Sequence, residues 1–338
     1  MTDKKKLGWG LIGASDIAKT RMIEAINGQP DSTVLAVMSS SEERAKRYAA
    51  ENGIPHSYTS VEALLANPEI DVVYVSTTNE RHKNEVFLAA QAGKHVLCEK
   101  PLALTVADAR EMLEFCRQAD VVLGTNHHLR NAVTHRTVRR LIKEGTIGKP
   151  LAARVFHAVY LPPRLQGWRL DKPEAGGGVI LDITVHDADT LHFALDDDAE
   201  EVVALSGQQG LSQSGLEDAV MGVIRFRSGL LAQFHDAFTI KNALTGLEIH
   251  GTEGSLIAED VMTQEPQGRV FLQREQKREP INLGDPVNLY SHQVEHFNAA
   301  VKGKGKPFAT GEDGVRSLAV ATAVLESTKT GQRVAVRY

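Results

Sequence analysis

Three side chains in this sequence are of types and spacings that can move a proton at a carbonyl: Lys100, Asp182 and His186. Lys100 closes the apolar run Val96-Leu97-Cys98-Glu99, and Pro101 after it biases the lysine backbone towards extended geometry at the end of a strand. An ammonium fixed there polarises a carbonyl or steadies a developing alkoxide. Asp182 and His186 lie in Gly176-Gly177-Gly178-Val179-Ile180-Leu181-Asp182-Ile183-Thr184-Val185-His186-Asp187-Ala188-Asp189. At i and i+4 they share one helix face, and Asp189 continues the stripe. Solvent faces favour Lys, Glu and Gln, so a bare Asp/His stripe beside three glycines points to a lined pocket. An imidazole titrates near neutrality, which suits His186 to give an alkoxide its proton. Asp182 would orient or recharge it, or bind a substrate hydroxyl.

Hydride chemistry needs a cofactor, and the start of the chain has the turn for one. Trp9-Gly10-Leu11-Ile12 reads as a strand and Gly13-Ala14-Ser15-Asp16-Ile17-Ala18 as the turn into a helix. In the pattern G-x-G-x-x-G/A the glycines let backbone amides approach a pyrophosphate at a helix N-terminus. Gly13, Ser15 and Ala18 match it, with serine in place of the middle glycine. The Ser15 hydroxyl is placed to reach a phosphate oxygen, although its side chain crowds the turn. After the second strand an NAD enzyme carries an acidic residue for the ribose diol. Here Ser39 and Ser40 stand there instead, with Arg44 a turn further on, which suits a 2′-phosphate and so NADP(H). Glu42 and Glu43 fit that reading only if the helix points them to solvent. Thr77, Thr78, Asn79 and His82 follow the third strand of the series, at the edge where doubly wound sheets bind ligands; a helix-capping role competes for Asn79.

These residues need a frame to hold them. Strand-like runs at Gly8–Ile12, Thr33–Val37, Val72–Ser76, His95–Cys98 and Val121–Gly124 alternate with helical patterns, which predicts a doubly wound parallel Rossmann sheet over residues 1–126. Residues 127–338 change character: a helix at Ala132–Lys143, then strands at Ala152–Tyr160, Val202–Ser206, Val220–Phe226, Leu230–Phe238, Leu247–His250 and Val270–Gln273, with a helix at Ile180–Leu195 between them. Strands joined by turns such as Arg227-Ser228-Gly229 predict a mixed, largely antiparallel sheet in an α+β domain that holds substrate. At 338 residues the chain has room for two domains. A net charge of −5, with no basic run beyond Lys4-Lys5-Lys6, speaks against a nucleic-acid partner. No apolar stretch is long enough for a membrane span. Two cysteines, Cys98 and Cys116, without metal or redox spacing fit a cytoplasmic protein. His127-His128 and His292-x-x-x-His296 lack a carboxylate or thiolate set beside them, so no metal is expected.

The motifs Gly13–Ala18, Cys98-Glu99-Lys100-Pro101, Asp182-x-x-x-His186-x-x-Asp189 and His250-Gly251-Thr252-Glu253-Gly254-Ser255 together resemble the glucose-fructose oxidoreductase / inositol dehydrogenase (Gfo/Idh/MocA) family. The resemblance extends to Thr310-Gly311-Glu312-Asp313-Gly314 and implies a Rossmann domain with an α+β partner, and catalytic roles at Lys100 and His186. Ala14, Ile17 and Glu99 join the cofactor contacts implied. A narrower likeness lies in Gly124-Thr125-Asn126-His127-His128-Leu129-Arg130-Asn131, in Ala153–Pro163 and in Gln166-Gly167-Trp168-Arg169. It points to reductases of cyclic keto-sugars and adds His128, Tyr160, Trp168 and Arg169 to the substrate contacts, the last two also serving the cofactor. Trp168 offers a face to a sugar ring and Arg169 bonds to hydroxyls, against a default of core packing for a lone tryptophan. Three functions remain open on this reading: NADPH-dependent reduction of a keto-sugar, oxidation of an inositol or aldose hydroxyl with His186 as base, and a non-catalytic NADP-binding sensor. The oligomeric state stays open.

Overall fold

The computed structural model describes residues 6–338, so Lys4 and Lys5 of the basic run lie outside the described residues. Contacts divide the chain into two units. The first runs to His127 and takes in Tyr290–Val315; the second holds His128–Leu289 and Arg316–Tyr338. The first division falls between His127 and His128, one residue past the sequence boundary, and the return of residues 290–315 to the first unit was not anticipated. Its physical basis is a long-range pairing. Asn298 on the helix Leu289–Val301 accepts the indole N–H of Trp9 at 3.3 Å, and Phe297 packs on that indole with ring centroids 5.6 Å apart.

In the first unit the strands are β1 (Leu7–Ile12), β2 (Ser32–Met38), β3 (His56–Tyr58), β4 (Val72–Val75), β5 (His95–Cys98) and β6 (Leu123–Thr125). They form a parallel sheet in the order β3-β2-β1-β4-β5-β6. β4 is buried along its whole length, as expected of a parallel strand covered on both faces. β3 has three residues at an edge, too short for periodicity to reveal. Helices start where hydroxyls cap them: Ser41 accepts the Arg44 N–H, Ser60 that of Ala63, and Thr105 that of Asp108. The chain turns opposite ways from β1, to β2 on one side and β4 on the other. The ends of these two central strands therefore open the crevice in which such sheets bind ligands.

The second unit is built on β7 (Pro150–Ala158), β8 (Ala199–Gly207), β9 (Ala219–Phe226), β10 (Leu231–Ala237), β11 (Gly246–Gly251), β12 (Ser255–Glu259), β13 (Arg269–Arg274), β14 (Lys277–Pro280) and β15 (Val334–Ala335). Their order is β14-β13-β12-β11-β7-β10-β9-β8-β15; β7 and β10 run parallel and the other pairs antiparallel. The mixed, largely antiparallel sheet is therefore the one expected. Alternation along β7 and β10 sends Val155, His157, Phe234 and Asp236 inward. On the other face Val203, Leu205, Met221 and Val223 are exposed. The expected helix at 180–195 opens with a wide π-type turn, Ile180–Thr184, before the α-helix Val185–Leu195. A further helix, Pro163–Asp171, is kinked at Gly167 and was not foreseen. No described helix is long and apolar enough to cross a membrane.

Candidate active site

The cofactor turn leaves β1 at Gly13, whose φ of 108° lies in the left-handed region. A Cβ at that position would come within 3.0 Å of the Ser76 carbonyl oxygen beyond β4. Two strand ends thus approach with bare backbone between them, which is the cradle a pyrophosphate requires, and the residues present fit a dinucleotide. Ser15 accounts for its own departure from the glycine pattern. Its Oγ accepts the Ala18 N–H at 3.2 Å and shares a 2.8 Å hydrogen bond with Ser76 Oγ, so it caps the helix the turn opens. The next helix, Glu42–Glu51, braces the turn from the side. Arg44 donates to the Ala14 carbonyl at 2.7 Å and the Tyr48 hydroxyl to the Ser15 carbonyl at 2.9 Å. Burial, with help from Asp16, pushes the Tyr48 phenol up and keeps it a donor. Glu42 and Glu43 turn outward to Lys46 and Arg47, at 2.6 and 3.5 Å, as a 2′-phosphate site beside Arg44 needs. Ser39 is buried with its N–H on the Tyr58 carbonyl, and Ser40 is exposed.

Past β4, the Thr77 hydroxyl donates to Glu85 at 2.5 Å and that of Thr78 to Glu80 at 2.7 Å. Asn79 is buried at the start of the short turn Asn79–Arg81, where Thr78 holds the capping position. His82 is wholly buried, with Nδ1 3.0 Å from the Pro101 carbonyl and Nε2 3.3 Å from that of Thr77. Burial lowers its pKa and favours the neutral ring, whose single N–H donates to one of these two carbonyls.

The loop after β5 carries the lysine. The Lys100–Pro101 peptide is cis, and Lys100 is half-buried. Glu99 beside it is surrounded by donors: its Oε1 accepts from the Tyr74 hydroxyl and from Asn126 Nδ2 at 2.6 Å, and its Oε2 accepts the Lys100 N–H at 3.2 Å. Three strand ends are thereby joined, since Tyr74 lies in β4, Glu99 follows β5 and Asn126 follows β6.

In the second unit the stripe on 182–189 separates into different roles. Asp182 in the π-type turn accepts from Arg169 Nε at 3.3 Å, and the Arg169 guanidinium lies 4.7 Å from the Trp168 ring centre. His186 is 6% exposed and meets His128 edge-on at 5.0 Å between centroids, with the His157 ring at 6.1 Å. Asp182, Arg169 and Trp168 therefore form one group of expected substrate residues, and His128 and His186 another. Asp189 is buried. It takes the buried Arg130 guanidinium in a bidentate pair, with Nη2 2.7 Å from Oδ1 and Nε 2.7 Å from Oδ2. Tyr160 follows β7, forms an isolated bridge with Thr239, and has the Lys241 ammonium 4.4 Å from its ring centre.

Several residues in these clusters escaped the sequence reading: Tyr74, Asn126, His157, Asp187 and Asp236. A signal existed for two of them. His157 and Asp236 occupy inward positions of alternating strands whose other inward residues are apolar, and a polar group at such a position needs a partner. Tyr74 carried no signal short of the fold, and Asn126 stood out only as a member of the run Gly124–Asn131.

Comparisons with known proteins agree with this architecture. Residues 7–127 match the Gfo/Idh/MocA oxidoreductase family, NAD-binding Rossmann fold, and residues 135–257 match the Gfo/Idh/MocA C-terminal domain. The chain is 60% identical to a 1,5-anhydro-D-fructose reductase from Ensifer adhaerens, over 96% of this chain and 97% of the relative. Among solved structures it is similar to an aldose-aldose oxidoreductase from Caulobacter crescentus complexed with glycerol, at TM-score 0.89 and 25% identity over 98% of this chain and 100% of that one. It is also similar to a 3-ketoreductase from Actinomadura kijaniata in complex with NADP and TDP-benzene, at TM-score 0.86 and 26% identity over 96% of this chain and 98% of that one.

Proposed function

The chain belongs to the Gfo/Idh/MocA oxidoreductase family, and we propose that within it the protein reduces the C2 ketone of 1,5-anhydro-D-fructose to 1,5-anhydro-D-mannitol with NADPH. The observation that carries this reading is 60% identity along nearly the whole of both chains, a likeness that includes both halves of the site. Bound NADPH supplies the hydride. Lys100 presents its ammonium to the carbonyl oxygen and stabilises the charge that develops there. His186 gives that oxygen its proton, so one hydride and one proton convert ketone to alcohol. Asp182, oriented by Arg169, takes a sugar hydroxyl, and the Trp168 face packs on the ring. Glu99 fixes the backbone of Lys100, and His128 packs on the edge of His186. NADPH is preferred over NADH because Ser39, Ser40 and Arg44 meet the 2′ position with hydroxyls and a guanidinium where a carboxylate would repel phosphate.

The test follows the absorbance of NADPH, and separately of NADH, when 1,5-anhydro-D-fructose is added. Rapid loss of NADPH with a much weaker NADH signal is expected. In Ser39→Asp the ratio should move towards NADH. Oxidation of neither cofactor would end the reductase reading, and an unchanged ratio in Ser39→Asp would end the 2′-phosphate argument.

A further inference from the structure

Behind His186 the second unit buries two carboxyl groups that the reaction above does not use. Asp187 follows His186 on the helix, and Asp236 stands on β10 directly beside His157 of β7 in the strand register. Both aspartates are 0% exposed. His157 Nδ1 lies 2.8 Å from Asp187 Oδ1, and the Thr184 hydroxyl donates to Asp236 Oδ2 at 2.6 Å. The remaining oxygens, Asp187 Oδ2 and Asp236 Oδ1, are buried without a donor. An ionised carboxylate has no hydrogen to offer, and two carboxylates held together in an apolar interior cannot both ionise. A single proton placed between the pair would satisfy both orphaned oxygens at once.

We propose that Asp187 and Asp236 share one proton, leaving a single negative charge beneath the imidazoles, and that this charge, acting through His157, sets the pH range in which His186 carries its proton. The two aspartates are positioning residues: Asp187 bonds His157, and Asp236 is held by the Thr184 hydroxyl. The inference rests on His186 as proton donor only for its kinetic half; the shared proton is independent of the substrate. Burial raises Asp187 to about 7, and burial together with the Asp187 charge raises Asp236 well above the ordinary range, so the pair keeps a proton that free carboxyl groups would have lost. The run that carries Asp187 also holds Asp182, bonded to Arg169, and Asp189, paired with Arg130, and four histidines come from the elements around it. His128 comes from the turn His128–Asn131, His135 from the helix Val133–Lys143, His157 from β7 and His186 from the helix that carries Asp187. Burial, and then the neighbouring His157, push His135 down to about 4, so it is neutral and does not compensate the charge.

Infrared spectroscopy of the purified full-length protein tests the proton directly. A protonated buried carboxyl is expected at neutral pH, and Asp236→Asn should abolish its band while keeping the fold, because the amide donates where the acid did. Its absence from the unmutated protein would overturn the proposal, whatever the substrate is. The pH profile of kcat for keto-sugar reduction tests the charge. Asp236→Asn keeps one charge and should leave the alkaline limb in place. Asp187→Asn with Asp236→Asn removes the charge and should move that limb down by about 1–3 pH units, the effect of losing an opposite charge. A limb that moves in Asp236→Asn alone would mean that both groups were ionised, and a limb unmoved in the double variant would mean that the charge does not reach His186. Either result overturns the proposal. If the double variant does not fold, the band and the limb of Asp236→Asn decide. A carboxyl band without keto-sugar turnover would uphold the pair and refute only the proposed function.

Discussion

Glu99 and Asp187 occupy comparable places in the two units, each a carboxyl group tucked behind a residue proposed to act on the substrate, yet the protein surrounds them in opposite ways. Glu99 meets only donors: the Tyr74 hydroxyl, the Asn126 amide and the Lys100 N–H. Asp187 meets His157 on one oxygen and, on the other, the carboxyl of Asp236. Donors on both oxygens fix a carboxyl group in one orientation, and through Oε2 that orientation extends to the backbone bearing Lys100. A facing acceptor instead creates a demand for a proton. The first arrangement holds geometry and the second holds charge. The contrast matches the roles proposed for the groups in front of them, an ammonium to be aimed and an imidazole to exchange a proton.

The largest test of this contrast lies at the two front residues. His186→Ala should lower kcat by about 10²–10⁴, the usual contribution of a positioned general acid, with NADPH affinity by fluorescence titration unchanged. Near-normal turnover would remove His186 from the mechanism and the second half of the comparison with it. Lys100→Ala should also lower turnover. The next effect comes from making the same acid-to-amide change at both buried sites. Glu99→Gln sets an amide donor against existing donors and should cost about 1–3 kcal/mol in denaturant unfolding, the penalty of unsatisfied polar groups. Asp236→Asn should cost close to nothing by the same measurement; equal losses would erase the distinction.

A pH titration of stability sharpens it further. The Asp187 pKa is raised from 3.8 in the unfolded chain to about 7 in the fold, so the folded protein binds the extra proton between those values. The corresponding stability is fully present below 3.8 and is lost as pH rises through about 7. Melting temperatures across that window should therefore fall more steeply with pH in the unmutated protein than in Asp236→Asn, and parallel curves would contradict the shared proton. The smallest effect belongs to the cofactor turn. Ser15→Ala should lose a helix cap worth about 1 kcal/mol, whereas Ser15→Gly should cost only a few tenths, about what glycine costs at an N-cap. A larger loss in Ser15→Gly than in Ser15→Ala would show that the serine does something other than cap.

How much of this could be read without coordinates depended on the range of the interaction. The alternation of strands and helices over residues 7–126 announced the parallel sheet, and Gly13 announced its own turn, because a positive φ is a local demand. The spacing of Asp182 and His186 named both as candidates. It did not show that Asp182 would go to Arg169 while Asp189 went to Arg130, because the stripe specifies a face and not the partners that meet it. Ser15 looked like a lapse in a phosphate motif until Ser76, 61 residues away, proved to share its hydrogen bond. The short strands β3, β14 and β15 at sheet edges were missed, and so was the five-residue β12 inside the sheet, because so few residues carry too little periodicity to register.

The sequence by itself determined most of the strands and helices and where the glycine turn of a dinucleotide site stands. These follow from backbone sterics and periodic burial, which act over a few residues at a time. Only the tertiary structure decided that residues 290–315 complete the first unit, that Tyr74, Glu99 and Asn126 meet, and that Asp236 lies beside His157 and against Asp187. Strand order and register set those meetings. A buried polar group obtains its partner, and with it its charge, from whatever the register places opposite, which no local pattern encodes.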